Sequence, residues 1–280
     1  MSFKHLEKIY NRSIIELTFD VKAPISLGLS NESNVRSIVK YIINNKIIVL
    51  IPSESIKGVM RSLGRRLIIG NESYDKLIKS CNKGKHTVNI SNINDESDKL
   101  LEQIFSEEQL KDISKEDKNS FYLSVRCPLC RLFGSSNFAS KLIFKDVILD
   151  TPIFTYTSNS IDRRFNIAKE DHLFRVEYVK PDSIKINIIA NNLSKPESIL
   201  FSRILEVISK RGLQIGGLKS KGYGLLSFKE ADIKVLKLVK PTSEDDIIKN
   251  INALLLIDNF QKYEISDYLK LLESYDELLL

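Results

Sequence analysis

Short apolar or alternating segments recur along the chain, and their period predicts β-strands. Four of them predict the core strands: Ser13–Val21, Lys141–Asp150, Ser183–Ala190 and Tyr223–Lys229. A further apolar run, Asn45–Ile51, ends at Pro52 and also predicts a strand. The polar stretch before it, Leu27–Asn45, is interpreted as a loop or an insertion.

Helical spacing of apolar residues marks two segments between the core strands. In Ser53–Ile69 the residues predicted to share one apolar face are Ile56, Val59, Met60, Leu63 and Leu67. Glu197–Arg211 has Pro196 at its entry and Gly212 just past its end, which is the asymmetry typical of a helix. The order of core elements is then β-α-β-β-α-β, which predicts an α+β, ferredoxin-like (RRM-like) fold.

Two regions lie outside this core pattern. Residues 71–126 are rich in charged and polar side chains and are interpreted as an inserted, partly helical lobe of a domain that spans residues 1–240. Residues 241–280 predict a helical C-terminal extension, with helices at Ser243–Leu256 and Glu264–Leu280. The leucines of the last helix predict packing on the core or on a neighbouring subunit.

Composition narrows the class of protein. The 280 residues are 42% hydrophobic and 28% charged, and 42 Lys+Arg against 36 Asp+Glu give a net charge of +6. This balance weakly favours a polyanionic partner. The chain has no apolar run of about 18 residues and no basic, apolar leader, so we expect neither a membrane span nor a signal peptide. A cytoplasmic location with reduced thiols is therefore expected.

The segment RGLQIGGLKSKGYGLLSF at Arg211–Phe228 is the most informative motif. It contains Gly216, Gly217, Lys219, Lys221, Gly222 and Gly224. Glycine lets a backbone approach a ligand closely, and adjacent lysines suit a phosphate. Because a strand follows this loop, neither a Walker loop nor a Rossmann loop fits. A phosphate contact on an extended polymer and a plain hairpin with glycines at turn positions both remain open.

The first predicted helix carries a cationic stripe. Lys57, Arg61 and Arg65 recur every four residues, Arg66 lies beside them, and no acidic residue lies between Ser55 and Gly70. Like charges at this spacing destabilise a helix unless an anion binds across them. The stripe is either a solvated face or a phosphate-binding surface next to the glycine loop, and the predicted topology favours the second interpretation.

All three cysteines fall into a pattern typical of metal ligands. Cys81 and His86 are separated by four residues, and Cys127-Pro-Leu-Cys130 forms a C-x-x-C knuckle. Three thiolates and one imidazole complete a closed, structural zinc site, which would clasp the two ends of the inserted lobe. Unrelated core cysteines and a redox-active pair are the alternatives.

Residues suited to acid–base catalysis are sparse. His5 lies near the terminus and His86 is a candidate ligand, so His172 is left as a weak candidate for a general base. Arg163-Arg164-Phe165 combines cations with an aromatic ring on an arm between two predicted strands. This arm either stacks on unpaired bases or is an ordinary charged loop.

Together, four segments resemble the RAMP superfamily, and in particular the backbone subunit that repeats along the guide RNA of type III CRISPR effector complexes. The segments are IPSESIKGVMRSLGR at 51–65, CPLCRLFGS at 127–135, IDRRFNIA at 161–168 and IGGLKSKGYGLLSF at 215–228. The resemblance implies a ferredoxin-like palm, a lid at about 71–126 and a thumb hairpin at about 151–182. It also implies that crRNA, complementary target RNA and other RAMP subunits are the partners in antiviral defence.

The resemblance assigns roles to individual residues. It implies guide-phosphate contacts by Ser53, Ser55, Lys57, Arg61, Gly216, Gly217, Lys219 and Lys221, with Arg65 on the same stripe. Arg163 and Arg164 fall in the thumb. Cys127 and Cys130 match a zinc knuckle, and Cys81 and His86 are fitting partners.

One departure from the family bears on catalysis. Active backbone subunits carry an aspartate between the first strand and the first helix, but the span Lys22–Lys57 has only Glu32 and Glu54 as acids, and Asp20 lies in the strand. We therefore expect a binding subunit without nuclease activity of its own, with Glu32 as the weak catalytic candidate. The alternative is a metal-dependent endoribonuclease subunit that cuts target RNA at regular intervals.

Overall fold

The structure is a computed structural model that contains both strands and helices. It describes residues 9–29, 35–68, 81–82, 85–86, 115–136, 138–162, 167–238, 244–255 and 260–275. The strands are β1 (Asn11–Val21), β2 (Gly28–Leu29), β3 (Val35–Ile38), β4 (Lys40–Ile43), β5 (Lys46–Ile51), β6 (Cys81–Asn82), β7 (Lys85–His86), β8 (Leu142–Phe144), β9 (Val147–Leu149), β10 (Phe154–Asp162), β11 (Ile167–Tyr178), β12 (Ser183–Asn191), β13 (Leu213–Gln214), β14 (Leu225–Lys237) and β15 (Gln261–Tyr263). The helices are α1 (Ser53–Ile68), α2 (Lys115–Arg126), α3 (Pro128–Phe133), α4 (Lys195–Arg211), α5 (Glu244–Leu255) and α6 (Ile265–Glu273).

The main sheet is centred on β1, which pairs antiparallel with β12 on one side and β14 on the other. Its strand order is β13-β14-β1-β12-β8, and β15 also pairs with β14. Ile15, Leu17 and Phe19 of β1 point into a core that α1 and α4 help to close, together with Phe201 and Ile204 of α4. This combination of antiparallel sheets and helices confirms the predicted α+β class.

The predicted strand Lys141–Asp150 is wrong as a single element. It divides into β8, which pairs with β12, and β9, which instead pairs with β5. The break falls at Lys145 and Asp146, where the Asp146 Oδ1 accepts a hydrogen bond of 2.7 Å from the Ser53 backbone N–H. The chain therefore leaves the main sheet at this point to approach the start of α1.

The stretch Leu27–Asn45, predicted as a loop, contains β2, β3 and β4. β4 and β5 form a hairpin whose turn is Asn44-Asn45, with φ values of 50° and 62°. Asparagine tolerates this left-handed region, and two such residues in succession are typical of a tight hairpin turn. The hairpin signal was therefore present in the sequence, although the polar residues around it concealed the strands.

α1 matches its predicted extent up to Ile68, and its buried residues are Ile56, Met60, Gly64 and Ile68. Leu67, predicted for the buried face, is 41% exposed, so this part of the prediction is wrong. The difference arises because Gly64 lies at the contact with α4, where an added Cβ would come within 2.9 Å of the Ile204 Cδ1. The absence of a side chain at this position lets the two helices approach closely.

α4 begins at Lys195, two residues before the predicted start, because Ser194 caps it. The Ser194 hydroxyl donates to the Glu197 Oε1 over 2.7 Å, and the two residues form a capping box. The helix ends at Arg211, and Gly212 follows with a φ of 72°, as predicted. The last core strand, β14, is longer than predicted and continues to Lys237.

A second sheet has the order β10-β11-β3-β2, in which β10 and β11 form a long hairpin and β11 pairs parallel with β3. Most of the predicted lobe at 71–126 lies outside the described residues, which there comprise 81–82, 85–86 and 115–126. α6 packs on α4 and β14 with Tyr268 and Leu272 buried, so this helix of the C-terminal extension lies on the core of the same chain. Among the described helices, none has the length and apolarity required for a membrane span.

Candidate nucleic-acid interface

The glycine loop, residues 215–224, connects β13 to β14, which pair as a short hairpin through Leu213 and Leu226. Its centre is a single 3-10 turn at Lys219–Lys221, and both lysines are exposed. The Gln214 side-chain amide holds the loop closed by donating to the carbonyls of Lys219 and Tyr223, over 3.0 and 2.9 Å. The local structure is therefore a hairpin, one of the two alternatives that the sequence did not decide between, and it carries two cations at its tip.

The glycines of the loop allow close backbone packing against Pro24–Ser26. Gly216 has a φ of 76°, and an added Cβ would lie 2.6 Å from the Ser26 carbonyl oxygen. The N–H groups of Gly217 and Gly224 donate to the carbonyls of Ser26 and Pro24, over 2.8 and 2.7 Å. These two N–H groups are satisfied within the protein, so the loop presents mainly its lysine side chains to a ligand.

A cavity of about 270 Å³ lies between the glycine loop and the start of α1. It brings together Ser55 of α1 with Gly216 and Gly217, three of the residues that the sequence predicted to contact phosphate. The remaining lining residues are Leu27, Gly28, Arg36, Val39, Pro52 and Val59. The lining thus combines apolar side chains with a serine, glycine backbone and an arginine.

Arg36 is the functional candidate that the sequence analysis missed. Its side chain passes between Gly28 and Gly217, and a Cβ on either glycine would overlap it. Its backbone is fixed in β3 by pairing with Val176 of β11. The Arg36 Nε is buried and, among the described residues, has no hydrogen-bond partner. A buried, unpaired cationic donor is costly, and because the Arg36 side chain lines the cavity, an anion there would offset its charge. A single arginine in a polar stretch gave no sequence signal of this role.

One edge of α1 faces the glycine loop. The charge of Arg66, after the larger effect of burial, lowers the pKa of Lys219, so these two cations repel one another. Arg66 follows Ser55 by three turns and only about 20° of rotation, so both lie on the same edge of the helix. Of the predicted cationic residues, Arg66 rather than Arg61 therefore accompanies the loop.

Arg61 lies about 240° around the helix from Ser55 and contacts another site. Its Nη1 donates to the Gly134 carbonyl over 2.6 Å, and its Nη2 donates to the sulfurs of Cys81 and Cys130, each over 3.6 Å. Burial, followed by the neighbouring Arg61 charge, lowers the pKa of Lys57. The stripe predicted from the sequence is thus divided: the Arg66 edge meets the glycine loop, while Arg61 meets the cysteines.

Cys81, Cys127 and Cys130 form a buried cluster whose three sulfurs lie within 4.8 Å of one another. The Cys81 and Cys130 sulfurs are 3.5 Å apart. Hydrogen bonds with the other two thiols, and burial, raise the pKa of Cys127. In tetrahedral zinc coordination, neighbouring sulfurs lie about 3.8 Å apart, and the distance between the Cys81 and Cys130 sulfurs is compatible with this spacing. The three cysteines can therefore hold a metal ion.

Local structure explains how the cluster forms. Cys127 precedes α3, whose first turn carries Pro128, and Cys130 lies one turn later. Cys81 belongs to the β6–β7 hairpin, in which its Cα lies opposite that of His86. The register therefore places His86, the predicted fourth ligand, beside Cys81 in the backbone. His86 and His172 are described only in their backbones.

Other predicted site residues have different outcomes. The Ser53 N–H is occupied by Asp146, and this backbone hydrogen bond, with one from the Ser53 side chain, lowers the pKa of Asp146. A carboxylate therefore caps α1 where the sequence predicted a phosphate contact. Arg65 is half-buried on α1. Glu32, Arg163 and Arg164 lie outside the described residues.

Comparison with known protein families identifies the family to which these features belong. The family model of the RAMP superfamily matches residues 28–227, a span that includes the cysteine cluster, the β10–β11 hairpin, the glycine loop and all residues that line the cavity except Leu27. A search of curated proteins gives no significant match. Because the matched span covers more than half of the chain, and because it contains the motifs that carried the resemblance, this chain belongs to the RAMP superfamily of CRISPR-associated, RNA-binding proteins.

Proposed function

We propose that this chain is a guide-RNA-binding backbone subunit of a type III CRISPR interference complex. In this role it holds crRNA so that complementary target RNA pairs alongside, and it contacts other RAMP subunits in antiviral defence. The RAMP family supports RNA as the ligand. The observation that carries the proposal is the cavity in which Ser55, Gly217 and the unpaired Arg36 Nε meet.

The charges around this cavity suit a phosphodiester backbone. Arg36 supplies a buried donor. Arg66 and Lys219 add two cations, and the charge of Arg66, after the larger effect of burial, lowers the pKa of Lys219. Repulsion between these cations is relieved when a phosphate lies between them. An extended strand that passes from the cavity to Lys221 would contact the cations in succession. The RNA contacts of Lys57, Arg65, Arg163 and Arg164 remain predictions.

The main sheet supports assignment of a ferredoxin-like palm, because its strand order is β14-β1-β12-β8 with antiparallel neighbours. Along the chain, α1 lies between β1 and β8, and α4 lies between β12 and β14. In this scheme the β10–β11 hairpin is the thumb, and the insertion at 71–126 is the lid. We further propose that Cys81, Cys127, Cys130 and His86 hold one structural zinc. Bound zinc would fix two separated parts of the chain, and no open position would remain for a catalytic water.

We propose binding without cleavage for this subunit. The span Lys22–Lys57 has no aspartate, and the nearest one, Asp20, forms an exposed ion pair with Lys22 over 3.1 Å. Cleavage of an RNA by a metal-dependent route requires carboxylates that hold the ion near the scissile phosphate.

Salt-dependent RNA binding tests the proposal. A labelled single-stranded RNA is titrated with the full chain between about 50 and 200 mM salt, and the slope of log K against log salt is compared among variants. Arg36→Gln, and Arg66→Ala combined with Lys219→Ala, should each weaken binding on every RNA sequence. Each lost phosphate contact should lower the slope by about 0.7 on a single strand.

Lys270→Ala serves as the matched control, because Lys270 is an exposed lysine of α6 with a side chain 79% accessible. It should bind RNA like the wild type. Equal affinities for the control and the cavity variants would refute the proposed surface. An RNA ladder produced by the wild type with Mg²⁺ would refute the absence of nuclease activity.

A further inference from the structure

Four aromatic side chains meet where the base of the β10–β11 hairpin approaches the glycine loop. We name them the aromatic face: Phe154, Tyr156, Tyr178 and Tyr223. The rings of Phe154 and Tyr178 stack with centroids 5.6 Å apart and planes inclined by 23°. Tyr178 meets Tyr223 edge-on at 6.2 Å, with an angle of 84°. Two separate elements of the chain thus form one aromatic surface.

The register of the hairpin explains this arrangement. Phe154 pairs with Tyr178 across the two strands, and Tyr156, two residues further along β10, lies on the same face. The segment Pro24–Ser26 holds the hairpin against the loop. Ile25 exchanges backbone hydrogen bonds of 2.8 and 3.0 Å with Val179, and the Pro24 carbonyl accepts the N–H of Gly224. The relative position of Tyr178 and Tyr223 is therefore fixed by backbone contacts on both sides.

The aromatic face is open to solvent in its outer half. Phe154 is 46% exposed and Tyr156 is 55% exposed, whereas Tyr178 and Tyr223 are half-buried beneath them. Burial, and then the neighbouring Tyr178 and Tyr156, raise the pKa of Tyr223, so this tyrosine is neutral at pH 7. Neutral rings of this size, exposed side by side, offer flat apolar surfaces with polar edges.

The neighbouring charges indicate the class of ligand. Tyr223 lies on the glycine loop only two residues after Lys221 and four after Lys219, and both lysines are exposed. Cations that follow a backbone, next to aromatic rings on which bases stack, are the two components of single-strand nucleic-acid sites. An apolar protein partner would not require the lysines.

We infer that the aromatic face stacks unpaired nucleobases of the RNA whose phosphates lie along the glycine loop. This inference rests on the proposed function, and it assigns a base-binding role to four residues outside the phosphate contacts. The expected contact is independent of base identity, because every base offers a π-face. It therefore adds affinity for single-stranded RNA without selecting its sequence.

Two RNA probes test the inference. One is a single-stranded oligoribonucleotide, and the other is the same oligoribonucleotide with contiguous abasic positions. Phe154→Ala combined with Tyr156→Ala should lower the affinity for the complete RNA about 5- to 100-fold. On the abasic probe, this variant and the wild type should bind equally, because no base is left to stack. Phe154→Tyr with Tyr156→Phe keeps both rings and should restore binding.

The chain offers a matched control in Tyr41, which is 54% exposed on β4, in a different sheet. Tyr41→Ala should leave both affinities unchanged. Equal losses on the two probes would overturn the inference, because the rings would then act without bases. Normal RNA binding by the alanine variant, with loss of assembly with partner subunits, would overturn it in favour of a protein-docking role. A wild type that binds neither probe would instead refute the proposed function itself.

Discussion

Arg61 and Cys130 are joined by a hydrogen bond from the guanidinium Nη2 to the Sγ, over 3.6 Å. The same nitrogen reaches Cys81, and Nη1 is held by the Gly134 carbonyl. A tetrahedral site with three thiolates and one imidazole carries a net negative charge, which an adjacent guanidinium stabilises. Arg61 therefore connects α1 to the cysteine cluster.

Arg61→Ala should lower the zinc affinity of the full chain about 10- to 100-fold, the range typical of residues that support metal ligands. Arg61→Lys should also lose affinity, because an ammonium lacks the planar fork that reaches Gly134 and both sulfurs. Competition with a chromophoric chelator measures the affinity. RNA binding should change less in Arg61→Ala than in Arg66→Ala. Unchanged zinc affinity together with a large loss of RNA binding would indicate that Arg61 contacts RNA and does not support the metal site.

The spacing of the cations along the sequence predicts which residues are neighbours on α1, but it does not predict which edge of the helix meets the glycine loop. Recurrence every four residues correctly indicated that Lys57 and Arg61 are neighbours on α1. The pKa of Lys57 is lowered first by burial and then by the charge of Arg61, as expected for neighbours. The orientation of α1 depends on Gly64 packing against α4, a contact between residues distant in sequence.

Local signals were reliable where the physics is local. The two core helices and the core strands β1, β12 and β14 followed from periodicity and caps, and the three cysteines followed from ligand spacing. Arg36 was not predictable, because its burial results from two glycines, Gly28 and Gly217, brought together by tertiary structure. The division of Lys141–Asp150 was also hidden, because Asp146 breaks the strand to cap a helix that precedes it by many residues.

The contact between Asp146 and Ser53 leads to a second prediction. Asp146→Asn keeps the shape of the cap on α1 but removes a negative charge beside the proposed RNA surface. RNA affinity at low salt should therefore rise a few-fold, and the gain should disappear at high salt, where screening removes the repulsion. Anisotropy titrations at about 50 and 500 mM salt measure both effects. Asp150→Asn is the control, since Asp150 is an exposed aspartate with a side chain 74% accessible. A loss of affinity in Asp146→Asn would indicate that the carboxylate positions α1 for binding.

The buried carboxylate of Glu197 leads to the last prediction. It is fully buried, caps α4 through Ser194, and forms ion pairs with Lys141 and with Arg131, the latter over 3.2 Å. Burial alone would raise the pKa of Glu197, but the charges of Lys141 and Arg131 outweigh it, so the pKa lies below its usual value. The ionised carboxylate thus joins α3, which carries Cys130, to α4.

Glu197→Gln removes the charge and leaves two cations near one another without their partner. The free energy of unfolding at pH 7 should fall by about 3–5 kcal/mol, as for other broken buried pairs. Because the folded pKa of Glu197 is lowered, its stabilisation is complete above the unfolded pKa of about 4.3 and is lost as the pH falls below it. Urea unfolding of wild type and variant should therefore differ most at pH 7 and converge towards pH 3. Glu206→Gln, on the exposed side of the same helix, should cause a much smaller change. A constant difference between wild type and Glu197→Gln across this pH range would contradict the ionic role and leave only the cap.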